Sequence, residues 1–189
     1  MRKYYRTVRA AAIMLVAIGA AAVMGVAPAY ADRNIPPPPV GSTYAWYTNN
    51  GVVWTDRKCM EVGGWRTDDF APVNQYECHW GANQQWRFGY ATTSHDSYYL
   101  QNVNSGKCLE VYGYGVNYGD PIVQYPCHLG TNQRWELIWN YEEDYGNLRN
   151  VNSGLCLSVD GLSSANLTRL VQNRCYPFTN QLFSPVYIR

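Results

Sequence analysis

Three segments of the chain repeat one framework, and that repetition limits the possible folds more than any other feature. They run KCMEVGGW to VNQYECHWGANQQWRF, KCLEVYGY to IVQYPCHLGTNQRWEL, and LCLSVDGL to LVQNRCYPFTNQLFSP. In each, the second cysteine follows the first by 19 positions: Cys59 and Cys78, Cys108 and Cys127, Cys156 and Cys175. An Asn-Gln pair follows at Asn83-Gln84, Asn132-Gln133 and Asn180-Gln181, and two residues after each Gln stands Trp86, Trp135 or Phe183. Val62, Val111 and Val159 coincide, as do Gly64, Gly113 and Gly161. A fixed period of this kind is read before any local pattern, because it decides the architecture.

The stretches between turn signals are short, apolar or β-branched, as at Lys107 to Val111, Pro121 to Tyr125 and Leu167 to Gln172, and Gly, Asn, Asp and Pro bound them. Three such units, each with about four short strands, cannot bury their apolar faces separately. Closure on a shared axis into a barrel of pseudo-threefold symmetry buries those faces and removes sheet edges. The expectation is therefore an all-β chain with repeats at about 42–90, 91–139 and 140–189. Six cysteines allow 15 pairings in general. Structural equivalence of the repeats selects the three pairings within them, each closing a loop worth about 3 kcal/mol in the chain-entropy model. No C-x-x-C spacing occurs, so zinc is not the expected use of these thiols, and no metal or cofactor is expected.

Residues 1–31 read as an export signal. Arg2, Lys3, Arg6 and Arg9 precede the apolar run Ala10 to Val26, and Ala29-Tyr30-Ala31 offers small residues for cleavage before Asp32. The run is short for a membrane span and ends near Pro28, so a membrane anchor is not expected. Without those four basic residues the formal charge falls from +1 to −3, which argues against a nucleic-acid binder. An oxidising, extracellular setting suits the paired cysteines. Residues 32–41 contain Pro36 to Pro39 and form an extended tail, leaving 42–189 as the folded domain.

The paired cysteines with a following Asn-Gln-x-Trp resemble the ricin-type lectin domain over about Ser42 to Arg189. That resemblance implies a β-trefoil whose three subdomains, alpha, beta and gamma, each end in a Gln-x-Trp motif. The motif is intact at Gln84 to Trp86 and Gln133 to Trp135, and the third copy departs from it as Gln181-Leu182-Phe183. The resemblance gives the Trp a place in the core and the Gln a role in orienting the site. It places the ring that stacks on a sugar two residues before the second Cys, where this chain has Tyr76, Tyr125 and Asn173. The hydroxyl-binding acid falls at Glu61, Glu110 and Ser158, and the amide at Asn83, Asn132 and Asn180. Asn74 adds a polar group to the alpha set, and His79 and His128 could edge the two sites as donors. Two candidate sites and one lacking both ring and acid are expected. The family's acid is usually Asp, so Glu61 and Glu110 displace the carboxylate by one methylene, which alters either specificity or binding itself.

Stacking against a C–H face with fixed polar groups at the side is how a protein grips a pyranose. The expected function is a secreted, non-catalytic binder of galactose-, xylose- or arabinose-containing glycans. The acidic clusters Asp68-Asp69 and Glu142-Glu143-Asp144 read as solvated surface charge, not as a glycosidase pair. A different class is also open: a protein-interaction trefoil, such as a toxin delivery subunit or an inhibitor, with a protein partner and decayed sugar sites. Its anchors would be exposed aromatics such as Trp65, Tyr112 and Tyr114.

Overall fold

In the hairpin of the first repeat, side chains alternate between two faces that are both buried along Cys59 to Val62. There Cys59 and Glu61 share one face of a hairpin with their cross-strand neighbours Tyr76 and Asn74, while Met60 and Val62 share the other with Gln75 and Val73. The computed structural model describes residues 39–49, 57–140, 145–176 and 179–188. The expected signal, most of the Pro-rich tail and the Glu142-Glu143-Asp144 cluster lie outside them.

Four strands fall in each repeat. The first holds β1 (Thr43–Asn49), β2 (Lys58–Val62), β3 (Val73–Glu77) and β4 (Gln85–Tyr90). The second holds β5 (Tyr98–Asn102), β6 (Cys108–Val111), β7 (Ile122–Tyr125) and β8 (Trp135–Asn140). The third holds β9 (Tyr145–Asn150), β10 (Cys156–Val159), β11 (Leu170–Asn173) and β12 (Leu182–Tyr187). The first and last strands of each repeat pair in a closed antiparallel ring, β1-β4-β5-β8-β9-β12 and back to β1. The middle strands form hairpins β2-β3, β6-β7 and β10-β11 that cap one end. This is the β-trefoil.

The motif aromatics fill the barrel. Trp86, Trp135 and Phe183 are completely buried with Trp46, Leu100 and Leu148. The two motif indoles are hydrogen-bonded: Trp86 Nε1 donates to Met60 O at 3.1 Å and Trp135 Nε1 to Leu109 O at 3.2 Å, whereas the buried Trp46 Nε1 has no partner among the described residues. Phe183, with no N–H, fills the same place without that bond. The disulfides are Cys59–Cys78, Cys108–Cys127 and Cys156–Cys175, as equivalence of the repeats required. Gly64, Gly113 and Gly161 turn at φ 63°, 60° and 60°, the left-handed region that glycine enters without steric cost.

Besides the β4-β5, β8-β9 and β12-β1 ladders, three buried glutamines join the hairpin ends of the repeats. Gln75, Gln124 and Gln172, each three positions before a second Cys, are completely buried. The Gln124 amide donates to Arg66 O (3.1 Å) and Asp68 O (2.9 Å) in the preceding repeat, and its oxygen accepts from Ser105 Oγ (2.6 Å). Gln172 reaches Gly115 O and Asn117 O, and Gln75 reaches Ser163 O and Ala165 O, so the links run cyclically through all three units. The signal was present as a repeated Gln within VNQYEC, IVQYPC and LVQNRC.

Removing the Gln124 amide leaves two carbonyls without that donor and takes the acceptor from the Ser105 hydroxyl, which still accepts from Lys107 N. Gln124→Ala is expected to cost about 3 kcal/mol, at the upper end for a broken buried network. A urea titration of the oxidised protein checks this, and a loss comparable to that of an exposed Gln would contradict it.

Candidate functional site

The first repeat brings Glu61, Tyr76, His79 and Asn83 to one cavity of about 430 Å³, lined also by Gly64, Trp65 and Leu167. Alternation on the β2-β3 hairpin sets Glu61 and Tyr76 on the same face. The short 3-10 turn Ala82–Gln84 supplies the two amides. Glu61 is almost entirely buried, and its Oε2 accepts from Gln84 Nε2 (3.1 Å) and Asn83 Nδ2 (3.3 Å). His79 Nε2 stands 3.4 Å from the same oxygen. The backbone N–H of Gly81 donates to His79 Nδ1 at 3.2 Å, which leaves the proton of the neutral ring on Nε2, facing the carboxylate.

Gln84 is fully used. Its second hydrogen bond as donor goes to Glu77 O at 2.8 Å, and its oxygen accepts from the backbone N–H groups of His79 (2.9 Å) and Trp80 (3.1 Å). One side chain thus fixes the loop, the histidine and the acid. The added methylene of Glu61 lets its carboxylate meet this amide directly. Trp65 stacks on the His79 ring at 5.7 Å, and Tyr76 meets the same ring edge-on at 6.2 Å. Asn83 Nδ2 also donates to Val62 O, and its buried Oδ1 has no hydrogen-bond partner among the described residues.

The second repeat copies the polar core. Gln133 Nε2 donates to Glu110 Oε2 at 2.8 Å, His128 Nε2 lies 3.4 Å from that oxygen, and Gly130 N donates to His128 Nδ1 at 3.0 Å. Asn132 Nδ2 donates to Val111 O, Tyr114 stacks on His128, and Tyr125 meets it edge-on. At the equivalent positions the third repeat has neither acid nor imidazole. Asn180 Nδ2 donates to Ser158 Oγ at 2.9 Å, Gln181 has the backbone partners Arg174 O and Tyr176 N among the described residues, and Asn173 stands where the others have a tyrosine.

Asn74 is set differently from the expectation. It lies across the ladder from Glu61 but does not line the cavity, and its amide nitrogen packs so close to Gly63 that a Cβ there would sit 2.6 Å away. Two residues that sequence reasoning did not place in the site do line it: Trp65, from the same turn as Gly64, and Leu167, from the third repeat. Asp68 and Asp69 pair with Arg66 and Lys107 at the surface. Among the described residues no cluster of His, Cys, Asp and Glu could hold a metal ion.

Sequence comparison matches the ricin-type β-trefoil lectin domain-like family over residues 52–125 and the ricin-type β-trefoil lectin domain over residues 96–185. No curated protein sequence matches the chain. Similar solved structures include a designed threefold-symmetric protein, ThreeFoil, at 28% identity and TM-score 0.70, covering 77% of this chain and 99% of that one. A ricin B-like lectin of Macrolepiota procera, solved with lactose, gives 19% identity and TM-score 0.63 over 81% of this chain and all of its own (100%). An exo-β-1,3-galactanase from Clostridium thermocellum gives 22% and 0.71 over 79% of this chain but only 31% of the enzyme. The chain belongs to the ricin-type β-trefoil lectin family, a class of carbohydrate-binding domains.

Burial holds the Glu110 carboxyl above the ordinary carboxylate value of 4.5, against the opposing pull of the Gln133 hydrogen bond and the His128 ring. The folded state then binds this proton more tightly than the unfolded chain does. Its contribution to stability is complete below the ordinary carboxylate range and is lost as pH rises through the folded value. Relative to Glu110→Gln, the native protein should therefore lose stability as pH rises above the ordinary carboxylate value of 4.5. Paired thermal melts across that range test the sign, and a constant difference would contradict it.

Proposed function

We propose that this chain is an exported, non-catalytic lectin whose principal ligand pocket is the first-repeat cavity, and that it takes galactose-, xylose- or arabinose-containing glycans. The observation that carries the reading is the convergence on one cavity of a ring at Tyr76, an anchored carboxylate at Glu61 and an amide at Asn83. A pyranose laid on Tyr76 buries its C–H face while its hydroxyls donate to Glu61. The Gln84 and His79 contacts hold the carboxylate in place beforehand, so little order is lost on binding.

The galactose members of this class draw support from the lactose complex of the Macrolepiota procera lectin and from the galactanase as structural relatives. Export is supported by the basic and apolar order of residues 1–31 and the six paired cysteines. Trp65 and Tyr114, candidates for anchors of a protein partner, stack instead on the histidines of the two sites, which favours the sugar reading over the protein-interaction one.

Two outcomes are expected of the mature, oxidised chain. On an array carrying galactosides, xylo-oligosaccharides and arabinans it should bind one class selectively. Tyr76→Ala should weaken that binding at least about tenfold, the equivalent of roughly 1.4 kcal/mol, without moving the unfolding midpoint. Retention of full affinity by the folded variant would remove the pocket from the reading.

A further inference from the structure

We infer that Phe70 plugs the second repeat's sugar site from the first repeat, so that the chain offers one open site where its sequence suggests two; the inference rests on the carbohydrate-binding reading of these pockets. Phe70, Gly119 and Leu167 occupy one position in the three repeats, eight residues before the second Cys. All three have left-handed backbone, at φ 61°, 82° and 63°. The backbone N–H of each donates to the carbonyl of a buried Gln in a neighbouring repeat: Phe70 to Gln124 (2.9 Å), Gly119 to Gln172 (2.8 Å) and Leu167 to Gln75 (2.9 Å). These equivalent bonds suspend each residue over the adjacent hairpin.

Leu167 shows where such a residue stands, because it forms part of the wall of the first-repeat cavity together with Tyr76 and Glu61. The threefold relation puts Phe70 at the corresponding wall of the second site. There its ring lies parallel to Tyr125, with centroids 4.6 Å apart and planes 20° from parallel, and meets Tyr112 edge-on at 5.2 Å. Tyr112 in turn occupies the position that Gly63 holds in the first repeat. Two aromatic rings therefore stand where the open site has a leucine and a glycine. A pyranose between the Phe70 and Tyr125 rings would require a separation of about 7 Å, two carbon contacts deep. The observed spacing leaves no such layer.

Replacing Phe70 by glycine keeps the backbone conformation and removes the plug. Isothermal titration of the native protein, Phe70→Gly and Phe70→Leu with lactose, xylotetraose and arabinotetraose is the test, with near-ultraviolet circular dichroism to confirm folding. The native protein should bind one equivalent and lose it in Tyr76→Ala. Phe70→Gly should bind two, keep one when Tyr76→Ala is added, and lose that one on further addition of Tyr125→Ala. A native stoichiometry of two, or a folded Phe70→Gly that binds only one, overturns the inference. Binding by Phe70→Gly through Tyr125 with none by the native protein supports the plug and rejects the first-repeat pocket. Absence of binding by every variant rejects both.

Discussion

The amide side chains of Gln75, Gln124 and Gln172 are the constraint on which the rest of the molecule depends. Each is wholly buried on the hairpin of one repeat and donates to two carbonyls in the loop of another. The loop carbonyls meet these amides, and the same seams carry backbone bonds between repeats, such as Gln124 N to Ala71 O and Phe70 N to Gln124 O. Neither loop nor hairpin can be buried without the other, since an unpaired polar group in the interior costs more than the bond returns. The three hairpins therefore close as a ring or not at all, and the barrel beneath inherits its threefold arrangement from that closure. The disulfides act within repeats and hold each hairpin near its Asn-Gln turn.

The same economy of amides governs the pockets. Gln84 and Gln133 each use both amide hydrogens and the carbonyl oxygen to tie a loop to a buried carboxylate. Glutamate fits this scheme because its longer stem reaches the amide while its strand stays in register. The histidines add a hydrogen-bond donor to the acid, and their orientation is fixed by a glycine N–H behind them. In the third repeat, absence of the acid and the imidazole leaves a Gln that still closes the turn through Arg174 and Tyr176, which separates the part of the motif that holds the turn from the part that holds the carboxylate.

The sequence discloses what lies within a repeat. Cysteine pairs, Val positions, positive-φ glycines and the Asn-Gln-x-Trp motif recur at fixed offsets, and their partners lie nearby along the chain, so period and spacing are enough. It conceals what lies between repeats. Gln75, Gln124 and Gln172 recur as faithfully as the cysteines, yet a Gln in a short strand reads as ordinary alternation until closure shows which face it takes. Phe70 and Leu167 are less visible still, because a left-handed position usually announces itself as glycine and only Gly119 does so here. Asn74 is legible in part: its shared face with Glu61 follows from register, but its packing on Gly63 does not.

Leu167 at the wall of the first pocket has a consequence for how such a protein can change. A pocket is not the property of one repeat but of a seam, with its acid, ring and amides from one unit and a wall from another. Duplicating a repeat would copy half of one pocket and half of the next. A substitution in the loop of one unit would then appear as altered selectivity in its neighbour, so the three units are bound to diversify together although their sequences suggest independent modules.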